Sequence, residues 1–567
     1  MSKIKTSSRA QISRAALQRL YIAMRHLFIR GSYKPLGASG EALLKALMQL
    51  KPEIYGDITD PERLELDGLQ YVFQRLPIGI EECRYIRLIS REGFEKSFVA
   101  EVPSKRRRNC YRIDKEQYYI EMTRGRSDIY DVLTHLSFMY IEAEKIKNNA
   151  LDIKGRKIRD WSRLEEIIEL INKGADFDKE RGYTYLSALI GRTYDETKEA
   201  CQKFENTDGI SSLFNIVYWL GYHSIQEELK KKDREISFSV RLRENIGHHL
   251  FGEQWSDRIK KYLLEHKMID RPIHIISSNL HSVMNCFFAK PALQQSERID
   301  KLLDVAEELS IGSNKEKRKQ VEQYALENGM VELFDDSGTN LGVQIFDCKE
   351  LDFSILPNEL KFNAEDSSIK DYVIVVMDYA FGEQAFECMD ELLKPLTKNN
   401  EKQKLNIASI NIMGKAGILE GSKGDIMIPN AHLFEGSADN YPFQNKMTTE
   451  LFNKSGLEVY RGPMITVLGT SLQNRDILRY FHKSSWKCIG LEMEGAHYQK
   501  AIQAASKIRG SISQNVDIRY AYYASDNPLE TGATLSSGAL GKSGVKPTYL
   551  ITLAFLKGIF NKKPFQD

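Results

Sequence analysis

Proline is absent from a long middle stretch of this 567-residue chain: of 15 prolines, none lies between Pro103 and Pro272. Interior proline costs a helix about 3 kcal/mol, so a stretch of this kind reads as helical. The seven cysteines, at 83, 110, 201, 286, 348, 388 and 488, form no CxxC pair. That argues against a zinc ribbon or a disulfide scaffold and favours a reducing compartment. Neither sign of charge is in surplus: 80 Lys+Arg against 78 Asp+Glu leave a formal net charge of +2. A dedicated electrostatic nucleic-acid binder would carry a basic excess, so nucleic acid is not an expected partner. No apolar run approaches the roughly 20 residues that span a bilayer. The late run Tyr549–Leu556 is bounded by Lys546 and Lys557, and the N-terminus, MSKIKTSSRAQISRAALQRL, lacks the apolar core of a signal peptide. These absences predict a soluble cytoplasmic protein with no membrane partner.

Glycine is present and unevenly placed. Of 37 glycines, 17 fall in residues 371–567, where tight turns and close ligand approach give glycine its use. At roughly 100–200 residues per domain the length allows several domains. Ser13–Ile29 carries apolar residues at helical spacing, and the segments SDIYDVLTHLSFMYIEAEKI, GISSLFNIVYWLGY and KPALQQSERIDKLLDVAEEL read as helices. RYIRLIS, SFVAEV and QYYIEM suggest a small antiparallel β unit near 84–122, with the basic run Lys105-Arg106-Arg107-Arg108 in a connection. After the polar stretch NAEDSSIKD, the runs YVIVVMD, LNIASINIM, GDIMIP, PMITVLG, KCIGLEME and IRYAYYAS alternate with helical segments. Continuous apolar strands alternating with helices indicate a sheet covered on both faces. The predicted organisation is a mostly helical region over 1–350, a linker at 351–371, and an α/β domain over 372–567.

Four segments of the last third end predicted strands, where active groups of open α/β sheets gather. They are Met377-Asp378-Tyr379-Ala380-Phe381-Gly382-Glu383, Met413-Gly414-Lys415-Ala416-Gly417, Gly490-Leu491-Glu492-Met493-Glu494-Gly495, and Ala524-Ser525-Asp526-Asn527-Pro528. In order and spacing, GKAGILEGSKGDIMIP, LEMEGA and ASDNPL resemble the nucleoside phosphorylase/nucleosidase superfamily, and within it AMP nucleosidases, which also show an asparagine–arginine pair like Asn474-Arg475. The resemblance covers roughly residues 370–560 and implies a three-layer α/β domain with a central mixed sheet; the first 350 residues match no pattern of that family.

The resemblance also implies roles. Cleaving a purine N-glycosidic bond leaves negative charge on the base and positive charge on the ribose. Asp526 stands where the family places the acid that protonates the base, help generally worth about 10²–10⁴-fold. Glu494 stands where the family binds the ribose hydroxyls, with Met493 packing on the sugar. Glu383 is the candidate for positioning water. Gly414 and Gly417 let backbone N–H groups approach a ligand oxygen, Glu492 and Ser525 are further contacts, and Lys415 with Arg475 would take a substrate phosphate. No metal or organic cofactor is implied, the ligand is a purine nucleotide or nucleoside, and superfamily members commonly form homo-oligomers. The leading expectation is therefore an N-ribosyl hydrolase releasing free base. One alternative is a phosphorylase using inorganic phosphate; another is a nucleotide sensor or scaffold with a silent site.

Blander readings accompany each motif. A glutamate at a strand end is commonly a neighbour of a helix cap, and an Asp before Asn-Pro is commonly turn chemistry. Gly538–Ser543 lacks the first glycine of a P-loop and any strand before it, which leaves a flap after Asp526 as the better reading. His248-His249 lacks metal-ligand spacing and reads as a helix-end pair. The run 104–108 reads as a solvated loop.

Overall fold

The structure, a computed structural model, describes residues 8–293, 301–360, 367–398, 401–530 and 541–560. These fall into two compact units, one of residues 1–248 and 471–477, the other of 249–470 and 478–567. The division lies at His248/His249 rather than within 351–371.

The first unit is helical around a small sheet. Its helix Arg9–Arg30 starts at a capping box in which Ser8 and Gln11 satisfy each other's backbone N–H groups, and it ends at Gly31 in the left-handed conformation. The helix Gly125–Ala150 is buried along most of its length. The sheet holds β1 (Ser32–Tyr33), β2 (Tyr85–Ile89), β3 (Cys110–Arg112), β4 (Gln117–Glu121) and β5 (Glu235–Phe238) in the order β1-β5-β2-β4-β3. The β unit near 84–122 is thus present but not purely antiparallel, because β2 pairs parallel with both β4 and β5. SFVAEV forms no strand and contributes only a bridge from Glu101 to Cys110.

The basic run is solvated only in part: Ser104, Lys105 and Arg107 are exposed, while Arg106 and Arg108 turn inward. Arg106 grips Asp131 with two hydrogen bonds of 2.8 Å, and the buried Arg108 bonds Asp128 at 2.9 Å and also Asp131. The helix Gly125–Ala150 turns both aspartates inward, and a buried arginine needs a carboxylate partner.

The second unit is built on a ten-stranded mixed sheet. Its strands are β6 (Ile273–Ser277), β7 (Met330–Leu333), β8 (Val343–Asp347), β9 (Val373–Met377), β12 (Ile407–Ile418), β13 (Ile426–Phe434), β14 (Asn440–Pro442), β15 (Val459–Thr466), β16 (Gly490–Glu492) and β17 (Asp517–Asp526), with a separate hairpin of β10 (Leu396–Lys398) and β11 (Glu401–Gln403). The order is β14-β13-β15-β16-β12-β6-β9-β8-β7, and β17 pairs with β12 and β13. β6, β9 and β17 run parallel to β12 or to a neighbour parallel with it. Val373–Met377 is buried throughout, as a strand covered on both faces requires.

Alternate residues feed two cores. Ile276, Ile374 and Val376 pack with the helices Leu280–Ala292, Leu302–Ser310, Lys315–Glu327 and Val545–Phe560. Ile275, Val373 and Val375 pack with the helices Leu250–Glu265, Gln384–Leu392 and Gly495–Gln503. Of the segment read as one helix, KPALQQSERIDKLLDVAEEL, the first residues end the helix Leu280–Ala292 and the last belong to the helix Leu302–Ser310, while 294–300 lie outside the described residues. Within the described residues no helix is long and apolar enough to cross a membrane.

Candidate active site

The parallel strands of the second unit end on one side of the sheet. β6 stops at Ser277, β9 at Met377 and β17 at Asp526, while β12 carries Gly414 and Lys415 near its end. A cavity of about 210 Å³ opens there. Ser277, Tyr379, Ala380, Gly414, Lys415, Glu494, Tyr498 and Tyr522 are among the residues that line it.

Glu494 reaches this cavity from the turn between β16 and the helix Gly495–Gln503. Gly382 N–H donates to Glu494 Oε1 at 2.9 Å. Gly382 has φ +56°, a left-handed turn that suits a residue without Cβ. Burial, and then the Glu492 carboxylate, raise the Glu494 carboxyl to about 8. One helical turn on, Tyr498 OH lies 3.0 Å from Ser277 Oγ. Burial raises the phenols of Tyr379, Tyr498 and Tyr522, so all three stay protonated and able to donate. Gly414 matters for a close approach: a Cβ there would stand 2.6 Å from the Tyr522 ring.

Asp526 is aimed by a bulge. Ala416 pairs with Ala524 but Gly417 pairs with Asp526, so Ser525 is an extra residue on β17. Ser525 Oγ sits 3.0 Å from Ala416 O and also bonds Asp526 Oδ1. Asp526 is 8% exposed, and its Oδ2 is buried with no hydrogen-bond partner among the described residues. Burial raises the carboxyl above its ordinary range, against the opposing pull of Ser525, Lys415 and Lys423.

The other expected residues divide. Glu492 is a helix cap rather than a lining residue: its carboxylate accepts from Thr466 Oγ1 and from the backbone N–H groups of Glu494, at 2.5 Å, and Gly495. A helix N-terminus needs such acceptors, and this carboxylate is consumed by them. Met493 is buried but outside the lining. Glu383 opens the helix Gln384–Leu392 without lining the cavity, and its charge acts on His497. Arg475 belongs to the first unit, where its backbone N–H donates to Glu53 at 3.0 Å. Of the expected flap, residues 538–540 lie outside the described residues. Sequence reasoning missed Ser277, Tyr379, Tyr498 and Tyr522. For two of them there is a signal: Tyr498 follows Glu494 by one helical turn, and Tyr379 stands in the strand-end segment Met377–Glu383. Among the described residues no cluster of three or more His, Cys, Asp or Glu could hold a metal.

Several solved structures share a partial likeness. The 5′-methylthioadenosine/S-adenosyl homocysteine nucleosidase of Campylobacter jejuni is 10% identical at a TM-score of 0.30, covering 51% of this chain and 98% of that one. Futalosine hydrolase of Helicobacter pylori is 12% identical at 0.30, covering 52% and 98%. The 5′-methylthioadenosine nucleosidase of Arabidopsis thaliana is 12% identical at 0.30, with the same coverage. Scores this low do not bear on activity. No curated protein matches the chain. One family model matches residues 41–312 and again 309–561, reaching across both compact units, and the chain accordingly belongs to that family, described as a family of unknown function (DUF6909).

Proposed function

We propose that the chain is an N-ribosyl hydrolase that cleaves a purine nucleoside or nucleotide and releases the free base. The observation that carries this reading is Asp526 itself: a buried carboxyl with one unpartnered oxygen, held by a bulge beside the strand whose Gly414 and Lys415 line the cavity that Glu494 enters. A departing purine needs a proton, and burial that raises a carboxyl keeps one available. Glu494 would hydrogen-bond the ribose hydroxyls, the place of a carboxyl group in glycoside cleavage. Gly382 N–H holds Oε1 of Glu494 and so fixes the carboxyl in the cavity. In this reading Met493 packs on the ribose, Glu383 positions water, Gly417 and Ser525 shape the end of the site, and the likeness of the motifs to AMP nucleosidases favours an adenine nucleotide.

The test is to incubate the full chain with AMP, adenosine and 5′-methylthioadenosine, with and without inorganic phosphate, and to measure free base and sugar product. Base release without phosphate supports hydrolysis. Strict dependence on phosphate with formation of ribose 1-phosphate would replace it with phosphorolysis. No release from any of them by folded protein overturns the enzyme reading, and nucleotide binding unchanged in Asp526→Asn would then favour a sensor.

A further inference from the structure

Acidic residues are missing from the first part of the sequence. Residues 1–40 hold eight Lys and Arg and no Asp or Glu, while the whole chain has a net charge of only +2, so the remainder is net negative. Five of the eight are arginines on the helix Arg9–Arg30: Arg9, Arg14, Arg19, Arg25 and Arg30. One face of that helix is spent on the core, where Ala16, Leu17, Leu20, Met24, Leu27 and Phe28 are buried. The outward face is basic without being purely polar, because Ile12, Ile22 and Ile29 are 41%, 66% and 63% exposed. At about 3.6 residues per turn, Ile22 and Ile29 lie nearly on one line, two turns and about 10 Å apart, with Arg25 on one side and Arg19 and Arg30 on the other. Arg19 donates to Gln49 Oε1 at 2.5 Å and Arg30 to Ser39 Oγ at 2.6 Å. Both acceptors are neutral, so these bonds orient the guanidinium groups without cancelling their charge. The single acid of the neighbouring helix Ala38–Leu50, Glu41, is paired with Lys45 at 2.7 Å.

We propose that this outward face lies against an anionic phospholipid surface. Among the described residues no helix can cross a membrane, but contact with a membrane's surface needs no spanning segment. A negatively charged leaflet attracts basic side chains that come within a Debye length of it. Isoleucines on the same face then enter the boundary between headgroups and acyl chains. Arginine stems lie along that boundary while their guanidinium groups meet the lipid phosphates. The charges and the exposed isoleucines are thus used together. Nucleic acid would satisfy the arginines alone: a phosphate backbone gives three isoleucines no apolar contact, and no aromatic ring stands among the exposed residues of this helix to stack on bases. The helix is already folded on its buried face, so contact orders side chains and leaves the backbone as it is.

The experiment is vesicle flotation with the full chain, using vesicles of phosphatidylcholine alone and of phosphatidylcholine mixed with phosphatidylglycerol, each at low and moderate salt. Two double variants separate the two contributions. Arg19→Glu/Arg25→Glu reverses a charge on either side of the isoleucine line, and Ile22→Ser/Ile29→Ser removes the apolar pair at constant charge. All four positions are exposed, and thermal melts check that each variant folds. The expected result is that the protein floats with the mixed vesicles only, and that moderate salt weakens this about tenfold. The charge reversal should abolish flotation, and the serine pair should weaken it about tenfold. No flotation with the mixed vesicles, equal flotation with both compositions, or flotation indifferent to either variant overturns the proposal. A DNA duplex of mixed sequence is the second polyanion: duplex binding that survives Ile22→Ser/Ile29→Ser, in the absence of flotation, gives the face to nucleic acid and overturns the proposal as well.

Discussion

Asp526 is the residue on which the proposed chemistry turns, because its Oδ2 is buried without a partner while Oδ1 is held by Ser525. Asp526→Asn keeps the shape and removes the proton. The expected outcome is a loss of about 10²–10⁴-fold in kcat with an unaltered fold, measured by base release and by a thermal melt. Glu494 makes a prediction that needs no substrate. Its carboxyl is raised from the ordinary 4.5 to about 8, so the folded protein holds a proton there that the unfolded chain has lost. The stability this contributes is full below about pH 4.5 and is lost as the pH rises through 8. Glu492, raised to about 7, acts in the same direction over a narrower window. Wild-type melting temperature is therefore expected to fall between pH 5 and pH 8.5. Glu494→Gln should flatten part of that fall, by about 1–3 kcal/mol. An equal slope in the variant would show that Glu494 is not raised.

At the scale of elements, the turn from β16 into the helix Gly495–Gln503 combines structure and site within three residues: Glu492 caps the helix and Glu494 faces the cavity. Glu492→Ala leaves two helix N–H groups and the Thr466 hydroxyl without their acceptor, each a buried group worth about 1–3 kcal/mol when orphaned. Urea unfolding should show a loss of at least about 2 kcal/mol, and a loss below 0.5 would mean that water replaces the cap. On β12, Gly414→Ala forces a methyl group against the Tyr522 ring. The expected cost is about 1–3 kcal/mol in the same measurement, together with a reshaped cavity. Most strand ends of this site are legible in the sequence, because runs such as Val373–Met377 are apolar on both faces and only a covered strand needs that. What was not legible has physical causes. β6 is only five residues, Ile-His-Ile-Ile-Ser, among helices, and so short a run has no period to tell strand from helix. The parallel pairing of β2 with β4 is set by long-range packing, and the inward turn of Arg106 and Arg108 by aspartates about 20 residues away in sequence. The tyrosines around Glu494 look like core residues in the sequence because their rings are apolar; only their placement around the cavity gives the hydroxyls a use.

For the whole molecule, the boundary at His248/His249 has a direct consequence for dissection. β6 lies between β12 and β9, so a fragment of residues 372–567 lacks a central strand of its own sheet as well as β7 and β8. Such a fragment is expected to be insoluble or to unfold without a cooperative transition, in contrast to the full chain; a sharp calorimetric transition in the fragment would contradict the sheet order. The sequence placed the change of architecture about a hundred residues too late because the helices Leu250–Glu265 and Leu280–Ala292, which cover opposite faces of that sheet, carry the same periodic signature as the helices before them.

The short return of residues 471–477 to the first unit affects the order of events during synthesis. There Asn474 Nδ2 donates to Leu50 O at 2.8 Å and Glu53 N–H to Gln473 O at 3.2 Å, so the first unit contains pieces from both ends of a long stretch of chain. Domains generally fold as they leave the ribosome, N-terminal first. This one cannot be completed until residue 477 has emerged, by which time much of the second unit has already been made. Nascent chains stalled before that point should expose an unfinished edge near Leu50–Glu53, so the first unit is left waiting on the ribosome for its last piece.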